Sequence, residues 1–167
     1  MSSRLHPAAI ALGIAGLIPF VLLGIAAVAA TNIGAANRYL FALVAYGGLV
    51  LAFSGGVHWG FVLHPTLPEG MTSDLRRDAT RLGLGVLPSL IGWAAILIPA
   101  YGVPWIGLVV LIAGYLATVI GEHHMRRRGL VMPSGYMTLR WVFSIVVLVV
   151  LITVLALRLI GASITFL

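Results

Sequence analysis

A chain of 167 residues with 61% hydrophobic side chains, only 8% charged ones and a mean hydropathy of +1.13 has too little polar surface to cover a water-soluble globule, which excludes a soluble enzyme or domain. Its net charge of +6 rests on ten arginines with no lysine, a balance that suits anionic lipid headgroups rather than nucleic acid. No cysteine is present, so a disulfide framework, a thiolate metal site and a cysteine nucleophile are excluded as well.

Five apolar stretches approach the roughly 20 residues that a helix needs to cross hydrocarbon: Ala8–Ala30, Tyr39–Leu63, Leu82–Pro99, Val103–Gly121 and Leu139–Ile160. They are continuously apolar instead of alternating in segments of about ten residues, which predicts helices and not a barrel. The expected architecture is all-α, one transmembrane domain over residues 1–167 built as a five-helix bundle.

The first stretch follows Arg4 and ends in the small residues Ala27-Val28-Ala29-Ala30, which resemble a signal-peptidase site. Its 23 residues exceed the 7–15 of a signal-peptide core, so a retained span is expected. Pro19 lies inside it and permits a kink. The connection Thr31–Arg38 is short enough to fold the second stretch back beside the first. In that second stretch Gly48, Ala52, Gly56 and Gly60 recur every four residues, a stripe that lets helices approach closely. The string Ser54-Gly55-Gly56-Val57-His58-Trp59-Gly60 sets an imidazole about 8 Å, at 1.5 Å per residue, below the end of the span at Leu63. Ser54 stands one turn away, in position for a hydrogen bond to His58.

The prolines and glycine of His64-Pro65-Thr66-Leu67-Pro68-Glu69-Gly70 stop the second helix. Ser73 offers an N-cap, and the pairs Asp74/Arg77 and Asp78/Arg81 predict an interfacial helical extension of the third span. Pro88 and Trp93 lie within that span, while Trp59, Trp105 and Trp141 suit the interfaces. The four-residue link Ala100–Val103 forces the fourth helix antiparallel to the third. Gly107, Gly114 and Gly121 recur there every seven residues as a second packing stripe. The connection Gly121–Thr138 holds Glu122, His123, His124 and an arginine triplet, and Arg140 opens the fifth span.

Arginine also predicts orientation. Arg4, Arg76, Arg77, Arg81, Arg126, Arg127, Arg128 and Arg140 share one side of the membrane, whereas Arg38 and Arg158 lie on the other. Cytoplasmic loops hold the basic excess, so the N-terminus is expected inside and the C-terminus outside.

By depth, His58, Arg81, Glu122 and Arg140 fall near one boundary and are expected to form a polar cluster with Ser54, Gly55, Gly56 and Trp59 around it. Glu122 and Arg140 make the natural ion pair, since either alone at that depth is costly. Two readings stand. The cluster is a clasp that ties helix ends together, or it is a site open to the cytoplasm where His58 takes and gives protons or a quinone accepts hydrogen bonds. A haem bracketed by His58 with His123 or His124 is a weaker option, because adjacent histidines cannot share a helix face. Phosphate-binding loops, nucleophile elbows and paired intramembrane carboxylates are absent, so a non-enzymatic role without a dedicated cofactor is expected.

Leu17-Ile18-Pro19-Phe20, Phe53-Ser54-Gly55-Gly56-Val57-His58-Trp59-Gly60, Leu87-Pro88-Ser89-Leu90-Ile91-Gly92-Trp93 and Tyr136-Met137-Thr138-Leu139-Arg140 together resemble a bacterial integral-membrane family of unknown function. That family is itself similar to a mitochondrial multi-spanning protein. Gly-Gly-Val-His-Trp-Gly is the most specific string of the resemblance. Glu122 departs from it where the pattern has Asp, and Gly135-Tyr136 departs where Pro-x-Trp-Tyr is expected. The resemblance implies a multi-pass protein of the bacterial inner membrane. Short loops, no stretch left for a soluble domain and the small-residue stripes suit an accessory, structural or assembly role beside a partner complex, and the mitochondrial likeness implies a respiratory one.

Overall fold

The computed structural model describes residues 7–63, 75–101, 103–127 and 135–165. All elements there are helical: α1 Pro7–Ala15, α2 Ile18–Ala29, α3 Ile33–Leu63, α4 Leu75–Ala100, α5 Pro104–Arg127 and α6 Tyr136–Thr165. Five segments are long and apolar enough to cross a membrane: Pro7–Ala29, Ile33–Gly60, Ala79–Pro99, Pro104–Arg127 and Tyr136–Gly161.

The first span is divided, where the sequence suggested at most a kink. Pro19 has no N–H for the carbonyl of Ala15, and its ring crowds that same group, so the α-helical ladder ends at Ala15. A tighter bond from Leu17 N–H to Ile14 O, at 2.9 Å, makes the corner. The Tyr46 hydroxyl on α3 donates to the Gly16 carbonyl at 2.9 Å and satisfies the broken corner from outside.

Helix α3 starts well ahead of the apolar run that announced it, which shortens the expected Thr31–Arg38 connection. Asn32 is the cause: its side-chain oxygen accepts from Ala35 N–H at 2.7 Å and its carbonyl from Ala36 N–H at 3.0 Å. Helix α4 begins at Leu75 and carries the predicted extension. The Ser73 cap, the Asp74/Arg77 and Asp78/Arg81 pairs and the His64–Gly70 stop fall outside the described residues and side chains. Helix α6 is entered through Gly135, whose φ of 84° is a left-handed conformation that a side chain would strain.

Helices α3 and α4 run antiparallel in near backbone contact. A Cβ on Gly48 would lie 2.8 Å from the Gly92 carbonyl oxygen, and one on Gly55 would strike the carbonyl of Gly85. Gly48 and Gly55 are seven apart, as are Gly85 and Gly92, so the two pairs form one seam. Ala52 is half-buried between them. Gly60, expected in this packing stripe, is exposed, and among the described residues nothing lies within 4 Å of a Cβ placed on it or on Gly56. The physical reason is periodicity: a four-residue repeat drifts round a 3.6-residue helix, whereas spacing by seven returns close to the same face.

Gly107 packs against Ala95 O and Pro99, and Gly114 against Ile91 and Leu51, which joins α5 to α4 and α3. Among the described residues nothing lies within 4 Å of a Cβ placed on Gly121. Helix α2 runs parallel to α6, with Gly24 against Val150 and Val154. Phe20 sits at the centre, fully buried, with edge-on contacts to Tyr46, Tyr115 and Phe143 at centroid distances of 5.0, 6.4 and 6.3 Å.

Candidate functional site

The bundle end that carries most of the arginines holds a buried polar network between α3, α5 and α6. Glu122 is its hub, 2% exposed. Arg140 Nε donates to Glu122 Oε2 at 3.0 Å, and His58 Nε2 lies 3.3 Å from Glu122 Oε1, where a ring N–H donates to the carboxylate. Arg140 is 7% exposed and His58 1%.

One guanidinium thereby links three helices. Its Nη2 donates to Ser54 Oγ on α3 at 3.0 Å and to Thr118 Oγ1 on α5 at 3.4 Å. Ser54 gives its own proton to the Leu51 carbonyl at 2.6 Å, so the expected Ser54–His58 bond is replaced by a link to Arg140. Thr118 likewise donates to the Tyr115 carbonyl at 3.0 Å. Carboxylate and guanidinium cancel in charge, and the Ser54 and Thr118 hydroxyls each both donate and accept.

Helical spacing explains the assembly. Ser54 and His58 share a face of α3 by an i,i+4 step, and Thr118 and Glu122 do the same on α5. Thr118 was not singled out from the sequence. Its place one turn before Glu122 is the signal that marks it. Gly55 and Trp59 lie on the adjoining face toward α4, where the Trp59 indole covers Gly85, and Gly56 is exposed. Arg81 is half-buried on α4, about one turn from Gly85. The ring of His123 stands edge-on to Trp141 at 6.1 Å, turned from His58 by the single-residue step after Glu122. His124 is exposed. Among the described residues no three His, Asp or Glu side chains converge as a metal would need. Trp93, within the third span, is 63% exposed because it follows Gly92, which occupies the α3-facing side of α4.

A crevice of about 70 Å³ opens on this network between α4 and α5. Its α4 wall is Leu84, Leu87, Pro88 and Ile91, its α5 wall Ala117, and His58, Thr118 and Glu122 lie at its polar end. Leu87 and Ala117 are also exposed on the bundle surface, so the crevice reaches the side that lipid would cover.

At the opposite end the other inward arginine, Arg158, donates from Nη2 to the Ala27 carbonyl at 3.4 Å near the C-terminus of α2.

The aligned stretches of the curated relatives are short. The chain is 40% identical over 91 residues to "Transmembrane protein 69" of Xenopus tropicalis, 53% of this chain and 32% of that protein. It is 46% identical over 57 residues to the Mus musculus protein of the same name, 34% of this chain and 21% of that one. The chain thus spans about a third or less of the length of the relatives it matches. No solved structure matches it. The sequence pattern of "Protein of unknown function (DUF3429)" matches residues 5–156, nearly the whole chain, and the protein belongs to that family.

Proposed function

We propose that the His58–Glu122–Arg140 cluster is a working site of a multi-pass membrane protein, where a small lipid-soluble molecule binds or a proton is exchanged, and not merely a clasp. The observation that carries this reading is the crevice: it ends on His58 and Glu122, while Arg140 and Ser54 stand behind them. A clasp alone needs no opening, whereas a site needs one beside its titratable groups. In this reading the arginine-rich end faces the cytoplasm, by the bias of basic residues, and the membrane is the bacterial inner membrane.

The test is His58→Phe and His58→Ala in the purified full chain, titrated in detergent with lipid-soluble probes that include a short-tailed quinone and a long-chain alcohol. A folded protein that has lost binding is expected, with a fall in melting temperature no larger than the missing His58–Glu122 hydrogen bond accounts for. Lost stability with binding retained in the surviving folded fraction would return His58 to packing.

A second reading, an accessory or assembly subunit of a membrane complex, a respiratory one among the candidates, is favoured by α1. This apolar helix has no buried residue and touches the bundle chiefly along α6, where Gly13 and Gly16 meet Leu139 and Phe143. Recovery of the protein alone from mild detergent at natural abundance would count against that role.

A further inference from the structure

We infer that the α4–α5 crevice is a lateral entry from the bilayer for a slender apolar chain ending in an uncharged hydroxyl, the class of long-chain alcohols and acylglycerols. This rests on the reading of His58 and Glu122 as a binding site and names what they bind.

The shape of the crevice sets the class. Helices α4 and α5 are locked together toward the far end, where Gly107 packs under Ala95 O and Pro99, and the space between them lies nearer Glu122. Leucine, isoleucine, proline and alanine line the approach, so an occupant arrives with apolar surface against both helices. The volume of about 70 Å³ is half or less of the roughly 150 Å³ cavity that accepts a benzene ring. A substituted ring such as a quinone head is too large for that space, whereas a hydroxyl with the first few methylenes of a chain is not, the rest of the chain lying outside the crevice against the exposed Leu87 and Ala117.

Acceptors at the inner end set the chemistry of the head. Pro88 has no N–H for the carbonyl of Leu84, and both residues line the crevice, so the helix leaves an acceptor there without its usual backbone donor. Glu122 adds carboxylate oxygens, and Thr118 has already given its proton to Tyr115. The Arg140 Nε and Nη2 donors are directed to Glu122, Ser54 and Thr118, and Arg140 does not line the crevice, so His58 is the other polar side chain at that end. A hydroxyl donates to such acceptors. A phosphate or carboxylate head would instead bring negative charge against Glu122 with the guanidinium already engaged.

A diazirine-bearing hexadecanol, photolysed with the full chain in phosphatidylcholine nanodiscs, reads this out by mass spectrometry. Labelling is expected on Leu84–Ile91 and Ala117, competed by plain hexadecanol or a monoacylglycerol. The methyl ether of hexadecanol, which cannot donate, is expected to compete about tenfold more weakly, the size of one hydrogen bond to a charged group. Ala117→Phe fills the entry from the lipid-exposed side without touching the network, and should abolish the labelling at an unchanged melting temperature. Equal competition by the ether, or labelling spread over all lipid-facing residues and indifferent to Ala117→Phe, would overturn the inference. Stronger competition by a short-tailed quinone would overturn the hydroxyl class while leaving the His58 site standing, and that site falls only if the His58 variants bind every probe as the natural chain does.

Discussion

The two halves of this bundle are built from the same helices and held by different forces. Toward the arginine-rich end α3, α5 and α6 meet through Ser54, His58, Thr118, Glu122 and Arg140, joined by hydrogen bonds of 3.0–3.4 Å. Toward the other end the same helices meet through fully buried Leu43, Leu108, Leu111, Val147 and Leu151. In lipid, apolar side chains gain little by leaving their surroundings, so that half depends on shape and close contact. The polar half has a different logic. Its groups have no water to fall back on, so they tolerate only the helix register that pairs them all. One half thus fixes register through paired polar groups, and the other fills the bundle by close packing.

The sharpest way to break this contrast is to remove the hub. Glu122→Ala leaves the Arg140 guanidinium buried without its counter-charge, a loss of about 3–5 kcal/mol for a one-sided cut through a buried ion pair. The expected result in detergent is a collapse of the thermal transition. Pairing Glu122→Leu with Arg140→Met removes both charges and should recover most of the stability, because no orphan remains. If the double variant unfolds as readily as the single one, register depends on the network itself and the apolar half cannot hold the fold alone.

A seam variant comes next. Gly55→Ala drives a methyl into the Gly85 carbonyl, where backbone rather than a flexible side chain must yield, and about 3 kcal/mol is expected, the upper part of the overpacking range. Gly56→Ala, one residue on, points to open space among the described residues and should leave the melting temperature unchanged. A loss from both would mean that the cost is not specific to the seam, since alanine is the better helix former at either position. Because Gly55 lies beside His58 on a neighbouring face, lost probe binding in Gly55→Ala would also show that the seam positions the site.

The comparison explains what could be read from the residues alone. Span number, helical class and the meeting of His58, Glu122, Arg140 and Ser54 were legible, since hydrophobic length fixes depth and groups of equal depth must find each other in lipid. Which glycines pack was only half legible. Gly48, Gly107 and Gly114 do so, while Gly60 does not, because one helix's spacing says nothing about where its neighbour's Gly85 and Gly92 fall. Helix ends were the weakest part. Asn32 extends α3 by a side-chain cap and Pro19 splits the first span by a steric clash, both of which act inside or beyond the apolar run that hydropathy measures. The crevice was not legible at all, since it is a gap between helices and is set by how α4 and α5 lean.

In the apolar half, Leu151→Ala tests the claim that close packing is the main tie between α3, α5 and α6. Without a transfer term from water, only the cavity counts, and about 80 Å³ left empty at ~24 cal/mol per Å³ gives a loss of about 2 kcal/mol. Probe labelling at Ala117 should be untouched, because Leu151 lies three turns along α6 from Arg140. Reduced labelling would mean that the two halves are mechanically coupled.

Tyr46→Phe carries the smallest effect and bears on the border between the halves. Its hydroxyl satisfies the Gly16 carbonyl at the corner of the first span, while its ring packs edge-on to Phe20. Removing the oxygen keeps the ring contact, so only one interhelical hydrogen bond is lost, worth about 0.6 kcal/mol in a membrane bundle. A shift of that size in unfolding would mean the corner is held mainly by Pro19, which cannot extend the helix in any case. A larger loss, with faster proteolysis between Ala15 and Ile18, would mean that Tyr46 holds α1 in place. Since α1 lies against Leu139 and Phe143 on either side of Arg140, the border between the halves would then also govern how the polar network is covered.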